Sequence, residues 1–163
     1  MEDLVSGPVG LTHLLASLLG LIFGSIVLAG RKGTRQHKRW GYAYAGAMVV
    51  VNGSAFLLYN LFGGFGVFHI AALISFLTLI GGMVPVLRRT PGKHWGRSHF
   101  TWMYWSVIGL YAAFVSEAFT RLPESPFFTM VSVATFFVIA TGLAAFMRLA
   151  PRWQKAFATW RNF

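Results

Sequence analysis

Charge-free stretches divide the chain. No formal charge falls between Leu4 and Gly30, between Trp40 and Leu87, between Ser98 and Ser116, or between Ser125 and Met147. The second stretch is twice the length of one bilayer crossing, which takes about 20 apolar residues. It breaks at Asn60-Leu61-Phe62-Gly63-Gly64-Phe65-Gly66, where the glycines favour a tight turn. The pattern predicts five helices, near 9–30, 40–61, 66–87, 99–121 and 126–148, in a single membrane domain over 1–163.

Composition narrows the class. Only 11% of the 163 residues are charged, against the roughly 25% usual in soluble domains, and mean hydropathy is +0.61. This excludes a soluble globule and a disordered chain. The net charge of +10 might suggest nucleic acid, but the basic residues are clustered between apolar runs, as in membrane proteins. No nucleic-acid partner is expected. With no cysteine there is no disulfide, thiolate metal site or iron–sulfur cluster.

Charge placement predicts orientation. Five basic residues lie within Arg31–Arg39, four more are Arg88, Arg89, Lys93 and Arg97, and another four are Arg148, Arg152, Lys155 and Arg161. Five spans put all three groups on one side. Glu2, Asp3, Glu117 and Glu124 fall toward the other. The N-terminus is then outside and the C-terminus cytoplasmic, with anionic lipid the expected partner of the basic face. The acidic start and long apolar run argue against a cleaved signal peptide. Trp153, Phe157 and Trp160 share one helical face, so residues 150–163 are expected to form an interfacial amphipathic tail.

The chain carries an internal echo. His37-Lys38-Arg39-Trp40-Gly41-Tyr42 and His99-Phe100-Thr101-Trp102-Met103-Tyr104 share His-x-x-Trp-x-Tyr, each after a basic loop. His13 and His69 each lie a few residues inside the preceding helix. The first four helices would form a pseudo-two-fold four-helix bundle with a parallel repeat.

Two imidazoles at one depth on opposed helices can hold a b-type haem. His13 with His69 is the better-supported pair, on the outer side. His37 or His94 with His99 is the second, on the cytoplasmic side. Gly20, Gly24, Gly46, Gly53, Gly81 and Gly82 would clear space for a macrocycle, and Tyr42, Tyr44, Trp102 and Trp105 could pack its rim. The structural reading is a set of interfacial or packing histidines, most natural for His37 and His94. Glu117 shares the depth of His13 and His69, and these three form an alternative zinc ligand set. Against that, Glu117 and Arg121 are spaced to pair along one helix. Asn52 and Asn60 suit interhelical hydrogen bonds. A third alternative is a non-catalytic membrane subunit or scaffold. No nucleotide-binding or serine-hydrolase motif occurs.

From about Lys32 to Arg121 the chain resembles the bacterial membrane-protein family known as domain of unknown function 2306. The resemblance rests on Lys32-Gly33, His37-Lys38-Arg39-Trp40-Gly41-Tyr42, His69, and His99-Phe100-Thr101-Trp102-Met103. It implies a multi-pass protein of the bacterial inner membrane. The spaced histidines are similar to those of two-haem transmembrane b cytochromes, which implies haem b, electron transfer or haem handling, and a redox partner or a homodimer. Phe100, Thr101 and Glu117 stand where the family pattern implies basic residues, which removes a basic partner for a propionate or anionic substrate.

Overall fold

The computed structural model describes residues 7–58, 63–88, 95–120 and 126–159, with side chains in the last stretch through Trp153. All regular structure among them is helical: α1 (Pro8–Ala29), α2 (Arg35–Ala55), α3 (Val67–Leu87), α4 (Trp95–Phe119) and α5 (Phe127–Thr159). Two compact units divide the chain, Met1–Leu79 and Ile80–Phe163, with the division inside α3.

In the first unit α1 packs on α2. Pro8 opens α1, where its missing N–H costs nothing. Gly10, His13, Ser17, Gly20, Gly24 and Val27 recur at intervals of three and four, and all but half-buried His13 are buried. This narrow seam of small residues lets a second backbone approach. The antiparallel register is fixed by His13 against Ser54 at one end and Phe23 against Trp40 at the other. Tyr44 and Met48, both fully buried, fall between those contacts, level with the Ser17–Gly24 stretch. The opposite face of α1 is apolar and open, with Leu15 and Ile22 each 53% exposed. Such faces suit lipid and would be unstable in water.

The α1–α2 turn is closed by polar contacts. The Lys32 Nζ donates to the carbonyls of Val27, Leu28 and Gly30, at 3.0, 2.6 and 3.0 Å, capping the end of α1. Gly33 takes φ +78, a left-handed conformation that disfavours a side chain. Thr34 Oγ1 then accepts from the His37 N–H at 3.0 Å, the N-cap of α2. The Lys32-Gly33 motif is thus a helix stop and Thr34 a helix start. Exchanging Thr34 for alanine is expected to cost about 1 kcal/mol, read as an earlier thermal melt.

In the second unit α4 packs on α5. Buried Tyr104 donates its hydroxyl to the Gly142 carbonyl at 2.6 Å, and Ser116 Oγ lies 2.9 Å from Thr135 Oγ1. Gly142 admits Ile108, whose Cγ2 would lie 2.7 Å from a Cβ there.

Three helices, α1, α3 and the Phe127–Trp153 part of α5, are long and apolar enough to cross a membrane. Several boundaries differ from the expected ones. α2 starts at Arg35 and α4 at Trp95, because charge-free stretches mark the apolar run, not the helix ends. Basic residues continue a helix into an interface by extending their side chains outward. α2 ends at Ala55, short of the expected 61; residues 59–62 lie outside the described ones. At the tail, α5 continues through Pro151 to Thr159. Trp153 packs on Phe100, Tyr104 and Phe146, at ring-centre separations of 4.4, 5.7 and 5.9 Å, so it belongs to the α4–α5 contact. Nothing is described for the side chain of Phe157 or for Trp160.

Candidate histidine sites

Each described histidine can be characterised by what its ring nitrogens meet. A neutral imidazole has one donor and one acceptor nitrogen, and a metal needs the acceptor.

His13 lies on the α1 seam, its Nδ1 2.9 Å from Ser54 Oγ. The Ser54 hydroxyl donates its single proton to the backbone carbonyls one turn back, Val50 at 2.6 Å and Val51 at 3.0 Å. With that proton on a carbonyl, the Ser54 oxygen accepts from His13 Nδ1 and the lone pair is on Nε2.

His69, 4% exposed, has the opposite arrangement. The Gly66 N–H donates to its Nδ1 at 3.1 Å. A nitrogen that accepts carries no proton, so the proton sits on Nε2. Gly66 immediately precedes α3, and His69 is the third residue of that helix. Its ring reaches back to the capping amide as a glutamate does in a capping box. Phe65 stacks on it at 4.9 Å and Phe56 lies 6.2 Å away. His13 and His69 thus both sit at the C-terminal end of α2, against Ser54 and Phe56 respectively.

His99, in the second unit, is half-buried near the start of α4. Its Nδ1 lies 2.7 Å from the Gly82 carbonyl. A carbonyl only accepts, so Nδ1 carries the proton and Nε2 the lone pair. Such a backbone contact on the distal nitrogen commonly orients a metal-ligating histidine. Gly81 and Gly82 bring α4 close: a Cβ at Gly81 would lie 2.9 Å from the Trp102 ring, and one at Gly82 2.5 Å from Met103 Sδ.

The two tryptophans of the repeat have parallel surroundings. Trp40 lies on Phe23 of α1 at 5.4 Å, and Trp102 lies on Gly81 of α3. Each tryptophan covers the preceding helix near its end. The His37 N–H is bonded to Thr34, and the ring is half-buried. His94 lies outside the described residues.

The glycines expected to clear space for a macrocycle serve otherwise. Gly20 and Gly24 are buried in the α1 seam, while Trp102 and Met103 cover Gly81 and Gly82. Gly46 and Gly53 are on the open face of α2. Tyr44 is buried within the first unit, Tyr42 is 55% exposed, and Trp105 packs with Tyr104 and Phe146. Asn52 is 2% exposed, and its Nδ2 meets no hydrogen-bond partner among the described residues. Asn60 and Arg121 lie outside them. No three His, Cys, Asp or Glu side chains among the described residues form a group that could hold a metal ion. Glu117 lies in the second unit, and its carbonyl accepts from Thr120 Oγ1 at 2.8 Å.

Sequence reasoning missed Ser54 and the Gly82 carbonyl. The Gly-Gly pair three residues before Pro85 was the available signal for the second. A serine in an apolar helix gives little.

Long apolar helices with lipid-suited faces and polar groups gathered at their ends define an all-helical membrane protein. The chain belongs to the family described as predicted membrane protein (DUF2306), whose model matches residues 10–152. No curated protein and no solved structure matches it.

Proposed function

We propose that this is a five-span protein of the bacterial inner membrane, N-terminus outside, that binds b-type haem at its cytoplasmic end through His99. The carrying observation is the 2.7 Å contact between His99 Nδ1 and the Gly82 carbonyl, which directs the Nε2 lone pair away from the backbone. Haem would supply one-electron chemistry, for transmembrane electron transfer or haem handling. The protein's part is to hold the His99 ring in one tautomer.

The outer pair fits less well. His13 holds the tautomer a ligand needs, but His69 does not. It could ligate through Nε2 only after releasing the Gly66 amide. A structural role at that end is the second reading, favoured by the capping bond of His69.

Haem titrated into the detergent-purified protein tests this. The wild type should develop a saturable Soret band, and His99→Ala should weaken binding by at least tenfold. His69→Ala should bind haem as the wild type does but melt earlier. Equal binding by the His99→Ala protein would refute the assignment. Orientation has its own test, since the chain has no cysteine. A cysteine at Gly64 should react with an impermeant maleimide from outside, and one at Thr34 only after the membrane is opened.

A further inference from the structure

The α1–α2 turn carries an arrangement that haem binding does not use. Arg31, Arg35, Lys38 and Arg39 are all exposed. No acidic residue occurs among the described residues of the first unit. Lys32 is different: its ammonium is spent on three carbonyls of α1.

The cations head a continuous face of α2. Arg35, Arg39, Tyr42, Gly46, Val49 and Gly53 follow one another at steps of three and four residues, with Lys38 and Val50 alongside, and all are exposed. The order is charge, then an amphipathic ring, then apolar surface. Tyr42 is 55% and Val49 54% exposed, and a Cβ at Gly46 would meet nothing within 4 Å. The glycine leaves a shallow track between tyrosine and valine. Farther on, Val50, Gly53 and Leu57 line a groove of about 360 Å³ against the start of α1. Charge, interfacial ring and apolar track match the headgroup, ester region and acyl chain of a lipid, in that order.

We propose that this face binds one anionic phospholipid, its phosphate on Arg35, Lys38 and Arg39 and its acyl chain along Gly46, Val49 and Val50. The capped turn holds the cations in place before the lipid arrives. The inference does not depend on haem, and its readout is separate from the Soret band.

The test is native mass spectrometry of the delipidated full-length protein, titrated with phosphatidylglycerol or phosphatidylcholine. The wild type should prefer phosphatidylglycerol. Each cation removed should weaken that lipid about fivefold, and the Arg35→Gln, Lys38→Gln, Arg39→Gln triple variant on the order of a hundredfold. Phosphatidylcholine binding should hardly change. Gly46→Leu should weaken both lipids, because it fills the track without touching charge. Should the triple variant fail to fold, the single Arg35→Gln variant carries the same test. Wild-type phosphatidylglycerol affinity in these charge variants would overturn the proposal. So would binding of glycerol 1-phosphate, the headgroup without chains, as tightly as the lipid.

Discussion

Replacing Gly82 with leucine should lower the melting temperature of the protein by on the order of 10 °C. The first atom added would fall 2.5 Å from Met103 Sδ, 2.8 Å from its Cγ and 3.3 Å from its backbone nitrogen. The sulfur can rotate away, but the backbone nitrogen cannot, so α3 and α4 must separate locally. Overpacking of this kind costs about 3 kcal/mol, and each kcal/mol shifts a chain of this length by roughly 2–4 °C. The His99–Gly82 bond is lost in the same movement. Haem affinity should therefore fall with stability. Gly46→Leu provides the contrast: the same atoms added on an open face should leave the melt unchanged. Thermal unfolding followed by circular dichroism in detergent separates the two.

Lys32→Met should cost about 2 kcal/mol, as hydrogen bonds from a charged donor typically do. Methionine keeps the apolar stem but leaves three carbonyls at the end of α1 without their donor. A pH signature accompanies the loss. Burial lowers the pKa of the Lys32 ammonium from its ordinary 10.5. Between the lowered folded value and 10.5 the unfolded chain binds more protons than the folded one, so this lysine's contribution to stability rises with pH across that window. Below the window it is constant. Melting curves across the alkaline range should show this slope in the wild type and not in Lys32→Met.

Much of the scaffold was legible in the sequence. Apolar runs pointed to the five described helices, three of which are long and apolar enough to cross a membrane. The same signal misplaced the start of α2, since Thr34 caps the helix among charges that hydropathy reads as loop. It also misread Trp153, whose aromatic face fits an interface or a helix contact equally well. The ring contacts of His13 and His69 could not be read from helix position. Those depend on Ser54, 41 residues away from His13, and on the Gly66 amide at the start of α3. His99 and His69 differ in those contacts: His99 Nδ1 meets the Gly82 carbonyl, while His69 Nδ1 accepts from the Gly66 amide. The use of Gly81 and Gly82 was half legible. Their smallness pointed to close approach, but the approaching groups are Trp102 and Met103.

The most direct measurement is a reduced-minus-oxidised absorption spectrum of the protein purified from cells supplied with a haem precursor. A b-type haem held by His99 predicts a Soret band that shifts on adding dithionite, with a sharp α band appearing, and both lost in His99→Ala. A flat difference spectrum from folded wild-type protein, with no haem extractable, would contradict it.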